Sequence, residues 1–437
     1  MVRRDFLSAA AAMAAAGVVG PGGAGAQSGN APAHRVDRST TRIAGFTSGE
    51  LDFQLMRSLG VANYGGAAPG EVFAARAEIN GESPDGFPAA FGALGKRVEA
   101  WGDAASQKGH RVSARDHYLR ASMYYRAAEY FTDAFDPQAR VRGLASRDVF
   151  LKAAALLTDR VEPVEIPFEG HKLPGYFMAP AGGAVRGRTI VVLTGFDGTG
   201  EELYFEAAAA GLERGYNVFI GEGPGQNGCM RFNPDLTFRP DYEKPIGAML
   251  DVALRQPGVA PERLALYGIS FGGYFVTRGA EHDPRVKALI ANSPIVNLFR
   301  YMSGFIGPEI VKNPPPITLA EVDQIPDADF PRAMKLSFKT ACRRFGVDSF
   351  AGWFARLKEF DAEGQLAAIR CPSLAMVGTG EGGEALAQAE IFARNVSGPV
   401  TRRVFTTEEG ADMHCQGGNL PLSCAVVYDW LDELFGA

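Results

Sequence analysis

Cysteine is scarce in this chain: five thiols among 437 residues are too few for a disulfide framework, and the odd number leaves at least one unpaired. Positive charge is not in excess, since 44 Lys and Arg stand against 50 Asp and Glu for a net charge of −6. That balance excludes the basic footprint of a nucleic-acid-binding protein or of one held on an anionic membrane. Histidine is rare as well, with six residues. There is no H-E-x-x-H, no paired C-x-x-C and no G-x-x-x-x-G-K-[ST], so neither a metal nor a cofactor is expected. Disorder is excluded by composition, because 46% of residues are hydrophobic and only 22% charged, with mean hydropathy −0.06. Gly and Pro, 53 and 27 residues, recur without a period, which excludes collagen and indicates many ordered turns.

Residues 1–26 read as an export signal. Arg3-Arg4 precedes Phe6-Leu7, an Ala-rich apolar stretch runs from Ala9 to Val19, and Ala24-Gly25-Ala26 forms an A-x-A cleavage site. The adjacent arginines resemble a twin-arginine signal, so the expected destination is periplasmic or secreted. Residues 27–44 read as a flexible polar leader. No second apolar run reaches the roughly 20 residues of a membrane span, and no stable membrane insertion is expected.

Two regimes follow. Residues 45–160 repeat apolar side chains at three- and four-residue intervals, as in Tyr118-Leu119 and Tyr124-Tyr125, and read as a helical domain. Ser113 with Asp116 suggests a capping box. From residue 161 short apolar strands alternate with helical patterns, among them Thr189 to Thr194, Asn217 to Ile220, Leu264 to Gly268 and Pro372 to Val377, with a helix expected from Glu201 to Arg214. Near-continuous apolar strands between helices predict a mostly parallel sheet covered on both faces, the α/β class. The core is expected in two parts, residues 161–296 and 367–437. The Pro-rich, then amphipathic text of residues 297–366 reads as an inserted helical cap.

Gly268-Ile-Ser270-Phe-Gly272 follows an apolar strand and precedes a helix, the context a nucleophile elbow requires. The tight turn would expose the Ser270 hydroxyl and aim the Phe271 amide at the substrate oxygen. A serine needs a base. Of the six histidines, His414 alone lies between the strand Val400 to Phe405 and the last helix, the position that completes the chain order Ser, acid, His. The acid is expected just beyond the strand Pro372 to Val377, at Glu381, with Glu384 as alternative; Asp412 reads as solvated. A second oxyanion donor is expected at the Phe196 amide, in the loop after Thr189 to Thr194. Asp197 and Glu202 either orient substrate or cap the following helix.

Gly223-Pro-Gly225-Gln-Asn-Gly228 imitates a dinucleotide fingerprint, but Asn233-Pro234 and Arg239-Pro240 argue against a helix opening there, so a tight loop beside the site is expected. Cys415 and Cys424 leave two readings open, a local disulfide or a pair of buried thiols.

The phrases Gly195-Phe-Asp-Gly-Thr199, Glu201-Glu-Leu-Tyr204, Glu222-Gly-Pro-Gly-Gln226, Gly268-Ile-Ser-Phe-Gly-Gly273, Gly378-Thr-Gly-Glu-Gly-Gly-Glu384 and His414-Cys-Gln416 are distinctive together. With Ser113-Ala-Arg115, Arg120-Ala-Ser122 and Tyr125-Arg-Ala-Ala128 they resemble the 2,6-dihydroxypseudooxynicotine hydrolase-like group of α/β-hydrolases, related to the FrsA-type esterases and to fungal polyketide-shortening hydrolases. The resemblance covers residue 45 to the C-terminus. It implies an α/β-hydrolase fold with helices closing over a Ser-acid-His site, a small-molecule substrate and a homodimer. In that group the bond cut can be a carbon–carbon bond beside a ketone, so the expected reaction is acyl-bond cleavage in an aromatic or polyketide-like substrate, with ester hydrolysis or a non-catalytic binding role as alternatives. Phe299, Tyr301, Phe305, Phe338, Trp353 and Phe354 are candidates to line the pocket or to pack the cap.

Overall fold

The computed structural model describes Asp37, residues 45–306 and residues 308–436; the expected export signal lies outside the described residues. Of the expected leader Asp37 is described, and its amide donates to the Glu381 carbonyl over 2.9 Å.

Eight strands form one sheet in the order β1-β2-β4-β3-β5-β6-β7-β8. The hairpin β1 (Arg160–Phe168) and β2 (His171–Ala179) is antiparallel, and β2 pairs antiparallel with β4 (Asn217–Gly221). The remaining strands, β3 (Thr189–Leu193), β5 (Leu264–Ile269), β6 (Ala288–Asn292), β7 (Ser373–Gly378) and β8 (Val400–Phe405), pair in parallel. Every residue of β3 to β7 is buried, which is why these strands read as unbroken apolar runs: both faces of the sheet are covered. The edge strand β8 carries Arg402 and Arg403 and is exposed at Thr401 and Arg402, as an edge facing water should be.

The pleat sends alternate residues of each strand into two separate cores. Ile190 and Val192 of β3 join Val218, Ile220 and Tyr267 against the N-terminal helices Gly49–Gly60, Gly86–Gln107, Arg111–Tyr130 and Pro137–Ala154 and the final helix Leu420–Phe435. Val191 and Leu193 join the opposite core, with Phe271 and Phe275 of the helix after β5 and with Phe338, Phe350 and Phe354 of the insertion between β6 and β7. Full burial of each such aromatic is worth about 1.5–3 kcal/mol relative to exposure. The insertion comprises Leu298–Ile306, Pro308–Lys312, Leu319–Val322, Arg332–Phe345 and Phe350–Leu357. Among the described residues, no helix is long and apolar enough to cross a membrane.

Two local readings are corrected and one is refined. The helix Arg111–Tyr130 starts after Gly109 (φ 76°) and His110, so Ser113 lies inside its first turn and caps nothing; Asp116 pairs with Arg115 at 2.8 Å. The helix expected from Glu201 to Arg214 is present from Gly200 to Glu213, with a π turn at Tyr204–Ala208 inside it. A six-residue helix, Asn227–Phe232, does open after the glycine-rich loop. Its Gly228 amide is already taken by Glu222 Oε1 at 2.9 Å, so a carboxylate of the chain itself sits where a phosphate would.

Candidate active site

The loops after five strands, β3, β5, β6, β7 and β8, meet above the sheet, the edge at which open α/β sheets hold ligands. At the end of β5 the chain turns sharply into the helix Gly272–His282, with Ser270 at φ 61°. A non-glycine residue in that region costs on the order of 1–3 kcal/mol. The surrounding turn holds it there, and it leaves room only for glycines. A Cβ at position 268 would lie 2.1 Å from the Gly272 carbonyl oxygen, and one at 272 would lie 2.7 Å from that of Leu193.

His414 follows β8 in a short turn and points Nε2 at Ser270 Oγ, 2.8 Å away. Its Nδ1 faces Glu381 Oε2 at 2.6 Å. Glu381 is fully buried beyond β7, its Oε1 accepting from the Gly378 amide at 2.8 Å. Ser293 Oγ, just after β6, donates to Oε2 at 2.5 Å, and Tyr301 Oη stands 3.5 Å from both Oε2 and His414 Nδ1. Glu384 is turned elsewhere, bound by Arg300 Nε at 3.2 Å and Gln388 Nε2 at 2.9 Å. Asp412, expected in solvent, is buried, because its loop tucks under the β7 turn and its carbonyl accepts from the Gly380 amide at 3.0 Å.

The loop after β3 lies against the elbow: a Cβ on Gly195 would be 2.6 Å from the Phe271 nitrogen. The amides of Phe196 and Phe271 donate to no other group among the described residues. Asp197 and Glu202 do not cap the next helix; Thr199 does, accepting from the Glu202 amide. Both acids belong to an ion cluster with arginines of the N-terminal helices. Arg57 reaches Glu202 at 2.7 and 2.6 Å and Asp197 at 3.2 Å, and Arg126 reaches Glu202 at 3.2 Å. Glu206, in the π turn, joins them; burial and then Glu202 push its carboxyl up to about 8. It shares a niche of about 30 Å³ with Ser270, His414 and Arg57.

On the other side Ser270 and Phe271 border a cavity of about 550 Å³, roofed by the N-terminal helices and the insertion. Phe305, Phe338 and Trp353 line it, as do Phe53, Tyr130 and Met302. Phe299 and Phe354 instead pack edge to face at 5.8 Å, and Tyr301 turns to Glu381. The pocket and the packing of the insertion thus divide the six candidate aromatics between them. Cys415 and Cys424 are not joined by a disulfide; their thiols donate to the Asn292 and Glu206 carbonyls respectively. Among the described residues, no cluster of three or more His, Cys, Asp or Glu could hold a metal.

Ser293, Arg57, Arg126 and the insertion's Arg344 escape the sequence reading, as does the place of Tyr301 beside Glu381 and His414. For Arg126 a signal existed, since it belongs to the Tyr125-Arg-Ala-Ala128 phrase, and for Ser293 there was its place at a strand end.

Residues 244–322 match the prolyl oligopeptidase family. Hydrolase LUC6 of a Fusarium species is 32% identical over 416 residues, 90% of this chain and 98% of that protein. The α/β-hydrolase xenA of Xenoacremonium sinensis is 33% identical over 367 residues, 78% of this chain and 84% of that protein. Among solved structures, that of 2,6-dihydroxy-pseudo-oxynicotine hydrolase superposes with a TM-score of 0.68 at 19% identity, over 86% of this chain and 96% of that one.

Proposed function

The chain belongs to the α/β-hydrolase family, alongside the fungal hydrolases that it matches over most of its length, and on that footing we propose that it is a serine hydrolase with a Ser270-His414-Glu381 triad. One observation carries this reading: the continuous chain from Ser270 Oγ through both nitrogens of His414 to Glu381, at 2.8 and 2.6 Å, beside a cavity of about 550 Å³. His414 takes the Ser270 proton as Oγ attacks a carbonyl carbon, and the Phe271 and Phe196 amides receive the oxyanion. Glu381 holds the ring tautomer and stabilises the imidazolium.

The substrate is proposed to be an aromatic or polyketide-like ketone cleaved at the carbon–carbon bond beside its carbonyl. The aromatic lining supports this, as does the motif likeness to a group in which such cleavage is known. When the tetrahedral intermediate collapses, the carbon–carbon bond breaks and its electron pair leaves as an enolate or electron-rich arene carbanion. His414 or water protonates that carbon. Protonation releases a shortened ketone from the enolate, or an arene from the aryl carbanion, and water then hydrolyses the acyl-enzyme to a carboxylic acid and free Ser270. The alternative is a carboxylesterase, in which an alkoxide leaves directly. Export through residues 1–26 is part of the proposal, and sequencing the N-terminus of the extracytoplasmic protein tests it against an expected start at Gln27.

The test is product analysis by mass spectrometry on a mixed panel of aryl esters and aryl β-diketones, with Ser270→Ala as control. Ser270-dependent diketone turnover supports carbon–carbon cleavage, and ester turnover alone replaces it with the esterase reading. Turnover that survives Ser270→Ala removes the triad.

A further inference from the structure

Arg344 lies in the last turn of the insertion helix Arg332–Phe345 and reaches across to the loop after β3. It is 8% exposed, and no carboxylate lies within ion-pair distance of it among the described residues. Its Nη1 donates to the Phe196 carbonyl and, at 3.4 Å, to that of Gly225; its Nη2 donates to Asn227 Oδ1. A guanidinium hydrogen-bonded only to neutral oxygens is a costly way to fill space; burial lowers its pKa to about 10 against the opposing pull of the Asp197 and Glu129 charges. What it holds explains its presence. Three of the four carbonyls from Thr194 to Asp197, in the loop after β3, are clasped by side chains. Gln226 holds Thr194 at 2.6 Å, Arg344 holds Phe196, and Asn227 holds Asp197 at 2.7 Å, with Asn227 braced in turn by Arg344. The next residue of the helix, Phe345, sets its ring 6.3 Å from that of Phe196 and 6.4 Å from that of Phe271. The last turn of one insertion helix therefore touches both residues whose amides face the reacting oxygen.

We propose that Arg344 is a positioning residue that completes the oxyanion hole: the insertion, once seated, fixes the Phe196 loop against the Ser270 elbow through this guanidinium. Substrate enclosure and transition-state stabilisation are thereby coupled, since a displaced insertion leaves the Phe196 amide unaligned. The inference rests on the serine-hydrolase reading above.

A fluorophosphonate tests it without knowledge of the substrate, because phosphonylation of Ser270 also places an oxygen in the hole. For Arg344→Met, kinact should fall about ten- to a hundredfold, short of the about 10²- to 10³-fold loss when a donor is deleted outright, with the reversible affinity of the probe unchanged. Arg344→Lys should recover part of the rate. In Arg344→Ala, millimolar guanidinium should restore activity, a rescue that a purely structural role would not give and that reads out on whatever folded fraction is present. An arylboronic acid, which forms a tetrahedral adduct with Ser270, should lose affinity by the same factor as kinact. Wild-type kinact in Arg344→Met, a loss confined to reversible affinity, or no guanidinium rescue would each overturn the proposal. If wild-type protein is not labelled at Ser270 at all, the failure lies with the serine-hydrolase reading.

Discussion

The Ser293 hydroxyl donates to Glu381 Oε2 over 2.5 Å, the same oxygen that faces His414 Nδ1 at 2.6 Å. Together with the Gly378 amide on Oε1, this leaves the carboxylate one rotamer and one orientation toward the imidazole. A hydrogen bond to a charged group contributes about 1.5–3 kcal/mol. Ser293→Ala should therefore lower kcat roughly tenfold with little change in KM, since the bond acts through His414 and not on substrate. Unchanged kcat would reduce Ser293 to a packing residue.

The two candidate acids separate by mutation. Glu381→Gln keeps the shape but removes the charge that stabilises the imidazolium and selects its tautomer; a loss of about 10³- to 10⁴-fold in kcat is expected. Glu384→Gln disturbs only the contacts with Arg300 and Gln388 and should stay within a few-fold of wild type. If the Glu384 variant alone is inactive, the assignment of the acid is wrong.

Gly195→Ala should damage catalysis more than stability. The added methyl would meet the Phe271 nitrogen and Ser270 Cβ, both at 2.6 Å, and must force the loop away from the elbow. That separates the Phe196 and Phe271 amides, the proposed oxyanion donors, and a kcat loss of about 10²- to 10³-fold is expected if one donor is lost. A melting temperature near that of wild type alongside inactivity would support the role; full activity would show that the loop can give way without cost to the site.

Ser270 is legible in the sequence because an elbow is local, written in Gly268 and Gly272 on either side of the serine. His414 is legible by elimination among six histidines, helped by its place between the last strand and the last helix. The acid can be narrowed to Glu381 and Glu384 and no further: both follow β7, and which one turns inward depends on where Arg300 and Gln388 arrive from. Arg344 carries no local signal at all, since its partner Phe196 lies 148 positions away and only the packed insertion brings them together. The same limit explains Asp412, a polar residue near a chain reversal whose burial is decided by the neighbouring β7 turn. Strand positions follow from apolar runs, whereas the π turn at Tyr204–Ala208 does not alter the apolar pattern and stays invisible.

On the far end of the elbow helix, Arg278 faces two carboxylates, Glu243 and Glu281, each at 3.0 Å. Glu281 Oε1 is buried with no hydrogen-bond partner among the described residues, which suits a protonated carboxyl. Burial, and then the charge of Glu243, push this group up to about 8, against about 4.3 in the unfolded chain. Between those values the folded protein holds a proton that the unfolded one has released. The contribution of Glu281 is therefore full below pH ~4.3 and is lost as pH rises through about 8. One linked proton tilts stability by at most about 1.4 kcal/mol per pH unit. Glu281→Gln removes the titration while keeping the shape, so its melting temperature should fall less than that of wild type between pH 5 and 9 and should exceed it at the alkaline end. Activity at neutral pH should be unaffected, because the residue sits at the opposite end of its helix from Ser270. Parallel melting curves for the two proteins would mean that Glu281 is ionised in the fold and that Arg278 serves both acids.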